Sequence, residues 1–166
     1  MRVLGLDPSL RSTGFGVLDG EKGEYTLVRR GTIKPGRGLA MENRVNAIRE
    51  GVERLILEHD PLEAAVENPF YSRNIRTALT LGQVRGAVMA AVASRGVPLF
   101  EYSALEIKKA VTGYGQAEKI QVAAMVRALL HMGEEPLEED AADALAAAIC
   151  HINIRAFRET VKESGS

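Results

Sequence analysis

The sequence holds a single cysteine, Cys150, among 166 residues. One thiol excludes an internal disulfide and any zinc site built on several cysteines. It ends the run Ala146-Ala147-Ala148-Ile149-Cys150, the setting of a small buried apolar side chain. No run of about 18 apolar residues occurs, so no membrane span is expected. The opening Met1-Arg2-Val3-Leu4-Gly5-Leu6-Asp7 meets a charge too early for a secretory signal, and residence in the cytoplasm follows. A Walker lysine loop, a CxxC pair and a Ser/His/Asp order are all missing. His59, His131 and His151 have no metal-ligand spacing among themselves, although His151 follows Asp143 by two helical turns.

Excess charge is missing too, since the net is −1. The total hides an uneven distribution. Residues 71–120 carry seven bases against three acids, whereas residues 134–143 carry six acids and no base. One region suits phosphates and the other suits cations. Scatter over a solvated surface explains the same counts.

With 46% hydrophobic and 26% charged residues, the composition is that of a globular chain able to bury a core without staples. Residues 2–7 read as a buried strand ending in a carboxylate. Residues 13–18 read as a second strand whose glycines imply close approach of another backbone or a ligand. Residues 25–33 form a third, and the short links favour antiparallel pairing. Then the period changes. Val45, Ile48, Val52, Leu55 and Ile56 fall at helical spacing and predict a helix over 39–59, closed by Pro61. A strand at 63–67, a helix at 75–95, a strand at 97–102 and helices at 104–112, 117–132 and 138–158 complete the order, with a frayed tail from about 160. The pattern β-β-β-α-β-α-β-α-α-α predicts one three-layer α/β domain with a mixed sheet.

Four acids stand where such a fold gathers ligands. Asp7 and Glu67 end two strands, and sites in open α/β sheets lie beyond the carboxyl ends of parallel strands. Asp140 and Asp143 share one face at the start of the last helix, where negative charge is tolerated. Ala141 and Ala142 between them let that helix lie close to the sheet. Four converging carboxylates suit hard divalent cations such as magnesium, and two such ions can drive in-line displacement at phosphorus. Each acid also has a plainer reading. Asp7 before Pro8 fits a turn, Glu67 a polar strand end, and Asp140 an N-cap.

Specific motifs narrow the choice. Gly5-Leu6-Asp7-Pro8-Ser9-Leu10-Arg11-Ser12-Thr13-Gly14-Phe15-Gly16 resembles the opening of the RuvC family of Holliday junction resolvases. Ala65-Val66-Glu67-Asn68-Pro69-Phe70, Leu81-Gly82-Gln83-Val84-Arg85-Gly86 and Phe100-Glu101-Tyr102 are similar to its later segments, in order. Ala117-Glu118-Lys119 and Asp140-Ala141-Ala142-Asp143-Ala144-Leu145 complete the set. The resemblance implies a ribonuclease H-like domain with a five-stranded mixed sheet flanked by helices. It also implies a homodimeric endonuclease using Mg2+ or Mn2+, two ions per site, on Asp7, Glu67, Asp140 and Asp143. The substrate would be four-way junction DNA, and a branch-migration complex of RuvA and RuvB the partner.

Phe70 would probe the junction centre, where stacking on a base is worth about 1–3 kcal/mol, with Tyr71 beside it. Lys108 and Lys119 would lie near the scissile phosphate, and Arg73, Arg76 and Lys109 along the DNA backbone. Ser9 and Asn68-Pro69 depart from the family's usual residues without touching a carboxylate. A helix bearing Thr77, Leu81, Val84, Val88 and Met89 offers a dimer face, although core packing explains the same spacing. Two alternatives stay open: a ribonuclease H-like nuclease acting on RNA or an RNA–DNA hybrid, and a module that binds branched DNA without cutting it.

Overall fold

The computed structural model describes residues 1–21, 23–68 and 74–164. Phe70, Tyr71 and Arg73 lie outside the described residues. Strands β1 (Arg2–Asp7), β2 (Thr13–Glu21) and β3 (Glu24–Ile33) precede α1 (Met41–His59), β4 (Glu63–Glu67), α2 (Ile75–Ser94) and β5 (Leu99–Tyr102). Helices α3 (Ala104–Thr112), α4 (Lys119–Leu129) and α5 (Glu139–Ser164) follow. This is the expected order. The sheet runs β3-β2-β1-β4-β5. β1 pairs antiparallel with β2 and parallel with β4, which makes the sheet mixed. No helix of the described residues is long and apolar enough to cross a membrane.

β1, fully apolar between its ends, is central and therefore buried on both faces. On one face Leu4, Leu6 and Val17 pack with Ile48 and Val52 of α1 and Val84 and Val88 of α2. On the other, Val3, Leu18 and Ala65 pack with Leu145 and Ile149 of α5 and with residues of α3 and α4. Cys150 is buried there, and burial pushes its thiol up to about 12, an inert core thiol as expected.

The contact of α5 with the sheet explains the glycines of β1 and β2. A Cβ on Gly5 would stand 1.9 Å from the Ala144 carbonyl oxygen, and one on Gly14 1.9 Å from that of Asp140. Backbone touches backbone at both places, so only glycine fits. The alanines of α5 complete the close approach from the other side, with Ala141, Ala142, Ala144, Ala147 and Ala148 all buried.

Four local expectations need correction. The first hairpin is longer than the sequence implied, because Asp19-Gly20 lies inside β2. Ile152 lies so close to Gly20 that a Cβ there would meet its Cδ1 at 2.6 Å, while Gly23, at φ 87°, takes the turn conformation. The last helix runs to Ser164 rather than ending near 158, since no glycine or proline interrupts the sequence before Gly165. On α2, Val84 and Val88 belong to the core, so they cannot form a dimer face. Finally, His151 does not face the acids. It is fully buried, with Nδ1 2.7 Å from the Tyr102 hydroxyl and Nε2 against Glu63 Oε2. Glu63 also pairs with Arg155 at 3.1 Å, closing a polar chain across β5, α5 and β4.

Candidate active site

Parallel pairing of Leu6 with Val66 sends Asp7 and Glu67 out of the sheet side by side at its carboxyl edge. Gly14 is the β2 partner of Asp7, and the backbone of Asp140 rests on Gly14. The first turn of α5 is thereby held over the end of β1. Asp140 sits inside that turn, not at the cap, and Asp143 follows three residues on. A cleft of about 280 Å³ results, lined by Asp7, Pro8, Glu67, Leu81, Arg85, Lys119, Asp140 and Asp143. At about 30 Å³ each, several waters fit in such a volume.

Gathering these charges away from water is unfavourable, and the carboxyl groups register it. Burial, then the charges of Asp143, Asp140 and Glu67, push the Asp7 carboxyl up to about 7. Glu67 is raised by burial and by Asp143, with Lys119 and Lys108 pulling against them. Burial also raises Asp143, against the opposing bond from Lys119. Lys119, the first residue of α4, donates to Glu139 Oε1 at 2.9 Å and to Asp143 Oδ2 at 3.0 Å. Those bonds, Glu139 first, hold its ammonium above the ordinary lysine range. The chain supports this lysine locally, since the N–H of Glu118 donates to Gln121 Oε1 at 2.8 Å and fixes the start of α4.

Among the described residues, no three acids or imidazoles stand at the spacing of a formed ion site. The donor set itself is all carboxylate oxygen, the chemistry of a hard divalent cation.

Of the remaining expected residues, Lys108 lies close enough to Glu67 to favour its ionised form. Arg76 lines a neighbouring cleft with Arg11, Thr77 and Leu81. Lys109 is exposed on α3 and does not line the carboxylate cleft. Arg85 is a site residue that sequence reasoning missed. Its Nη1 donates to the Glu67 carbonyl at 2.8 Å. Its Nη2 stands 2.9 Å from Glu101 Oε2, an ion-pair contact without hydrogen-bond geometry. The residue ties the end of β4 to β5 behind the carboxylates. A signal existed, since Arg85 adjoins the core residue Val84 and is the one charge between Thr77 and Ser94.

The sequence matches the family model of crossover junction endodeoxyribonuclease RuvC over residues 3–151. A relative of that name from Brevibacillus brevis is 43% identical over 157 residues, 95% of each chain. One from Halorhodospira halophila is 44% identical over 165 residues, 99% of this chain and 98% of its own. In structure, T. thermophilus RuvC in complex with Holliday junction substrate is similar with a TM-score of 0.90 at 32% identity, over 95% of this chain and 96% of that one. Matched over nearly its whole length in sequence and in fold, the chain belongs to the RuvC family of crossover junction endodeoxyribonucleases, enzymes of the nuclease class.

Proposed function

We propose that this chain resolves Holliday junctions by paired symmetric nicks, in DNA recombination and repair. It acts as a cytoplasmic homodimer, with two magnesium or manganese ions per site on Asp7, Glu67, Asp140 and Asp143. The observation that carries the reading is the convergence of four carboxylates from three elements on one cleft, at the expense of an Asp7 carboxyl raised to about 7. A fold gathers like charge in this way when an opposite charge is to be received. Bound there, hard divalent cations supply an activated water and neutralise charge at the scissile phosphate.

The chain's own groups do the rest. Lys119 holds Asp143 at 3.0 Å, and its ammonium would stabilise negative charge on a phosphate bound beside the carboxylates. Arg85 anchors the strand end that presents Glu67. Lys108 biases Glu67 toward its ionised, ligating form. Phe70 and Tyr71 are assigned to the junction centre, and Arg73, Arg76 and Lys109 to the DNA backbone, on the strength of the family resemblance. RuvA and RuvB are the expected partner complex.

The dimer face is assigned to the outer stripe of α2. Ile75, Leu79 and Met89 are exposed there at 77%, 65% and 40%. Gly82 and Gly86 lie on the same stripe, and a Cβ on either would meet nothing within 4 Å. A helical glycine costs roughly 0.5–1 kcal/mol relative to alanine, and the chain's own packing requires neither. Both fit a second helix approaching closely. Gly86→Glu is therefore expected to give a folded monomer, read by sedimentation equilibrium beside circular dichroism. A variant of unchanged dimer mass would move the interface elsewhere.

Cleavage of a labelled four-way junction, beside a linear duplex and an RNA–DNA hybrid, tests the function. Symmetric nicks confined to the junction are expected with magnesium or manganese and none with a chelator. Cutting of the hybrid in preference would keep the metal site and change the substrate to RNA. Junction binding without cutting under either metal would leave a recognition module.

A further inference from the structure

Beside the carboxylate cleft the structure gathers positive charge that sequence counting does not find, because it comes from three separate segments. The link between β1 and β2, the link between β3 and α1, and the first turn of α1 close on a cleft of about 410 Å³. It is lined by Arg11, Ser12, Lys34, Pro35, Gly36, Arg37 and Arg44. Four of those seven residues are cations and none is a carboxylate. Lys34 alone is neutralised, by Glu138 at 2.6 Å. Arg11, Arg37 and Arg44 form no ion pair with any described residue. Arg44 donates from Nη2 to the Leu10 carbonyl at 3.1 Å, but its Nε is buried with no partner. A buried donor left unpaired is costly, and like charges crowded without a counter-charge add to that cost. Both costs are relieved by an anion in the cleft.

The cleft neighbours the active site through one intervening hollow. Arg11 also lines the adjoining hollow with Arg76, and Leu81 lines both that hollow and the carboxylate cleft. Arg11 follows Asp7 by four residues. The loop between them is fixed by Thr13, whose hydroxyl donates to the Ser9 carbonyl at 2.7 Å and accepts from the Ser9 N–H at 3.2 Å. A polyanion lying across the carboxylate cleft would therefore meet Arg76, then Arg11, then Arg37 and Arg44 as it leaves. Guanidinium groups suit phosphodiester oxygens and read no base there.

We propose that Arg11, Lys34, Arg37 and Arg44, which line one cleft without a carboxylate, form a second backbone-binding tract that grips a duplex arm of the bound junction. The tract rests on the reading that branched DNA is the substrate. It sets affinity and the exit direction of one arm, not sequence preference.

Arg11→Gln with Arg37→Gln tests it, because both side chains are exposed and unpaired, so the fold has no stake in them. Binding of four-way junction and linear duplex is measured against salt in a chelator, beside an Arg29→Gln/Arg158→Gln control of the same charge far from the tract. Each lost phosphate contact lowers the slope of log K against log salt by about 0.9. The double variant should therefore lose nearly two from the slope. At 0.1 M salt that corresponds to a loss of roughly tenfold to sixtyfold in affinity on both DNAs. The control should keep the parental slope. Parental binding with a double variant that matches the control overturns the tract alone. A parental chain that binds neither DNA overturns the substrate reading, and the tract with it.

Discussion

Replacing Asp7 by asparagine is expected to abolish junction cleavage, leave junction binding largely intact and stabilise the metal-free protein at alkaline pH. The first effect follows from the donor set. Asparagine keeps the shape but removes a carboxylate from the proposed cation cage. Loss of several kcal/mol of transition-state stabilisation corresponds to a rate lower by roughly a thousandfold or more. The stability effect follows from burial and like charge, which hold the Asp7 carboxyl up at about 7 against an ordinary 3.8. Below about pH 4 the group is protonated in folded and unfolded chains alike. Between about 4 and 7 the unfolded chain gives up the proton while the folded chain keeps it, so stability falls as pH rises through that window and is level above it.

The asparagine variant escapes this fall. At pH 8 it should be more stable by up to about 4 kcal/mol, a rise of roughly 10 °C in Tm for a chain of this size. At pH 4 the difference should vanish. Single-turnover cleavage, junction titration and thermal melts at the two pH values read the three effects. A variant that melts below its parent at pH 8 would refute the electrostatic account. Loss of cleavage and binding together, in a folded protein, would refute the cage.

Gly14→Ala should be the most damaging single methyl group in the molecule. The added Cβ would stand 1.9 Å from the Asp140 carbonyl oxygen and 2.3 Å from its carbon, both backbone atoms that cannot turn aside. Either β2 or the first turn of α5 must move. Overpacking of this kind costs about 3 kcal/mol at the upper end of its usual range, or roughly 10 °C in Tm. Because Asp140 and Asp143 travel with that turn, a displacement near 1 Å should also lower cleavage about a hundredfold. Gly16→Ala is a useful contrast, since its Cβ would press on the Leu145 side chain, which has rotamers to yield. It should be the milder of the two in both melting and cleavage. A Gly14→Ala protein with parental activity would detach the carboxylate geometry from the glycine contact.

Much of this architecture was legible in the sequence. The strand at 2–7 and the helix at 39–59 were readable because burial imposes a period on apolar residues. Asp7 and Glu67 were readable because each ends an apolar run where a charge needs a reason. On α2 the periodicity fitted either a dimer face or the core, and burial decides for the core at Val84 and Val88, because an apolar period alone does not say which surface a helix faces. The second strand was ended at residue 18, and only the helix lying against Gly20 shows why Asp19-Gly20 stays in the strand. Arg85 and the Arg11, Arg37 and Arg44 tract escaped because charge counted along a chain cannot register groups brought together by folding. Lys119 was located by resemblance; its two carboxylate partners needed the structure.

The seating of α5 separates two directions of motion that usually loosen together. Across the helix axis, the contacts at Gly5 and Gly14 are backbone on backbone with no soft layer of side chains between, so the first turns of the helix cannot settle inward there. Along the axis those two contacts offer little resistance, as a rod on a flat bed slides more easily than it sinks. Resistance to sliding comes from side chains farther along: Ile152 against Gly20, Asn153 bonded to Tyr25 and the Ala110 carbonyl, and His151 between Tyr102 and Glu63. The depth of the carboxylates is thus a matter of hard contact and should vary little with temperature. Their advance toward or away from the strand ends is governed by polar contacts farther along the helix, among them His151 held between Tyr102 of β5 and Glu63 of β4.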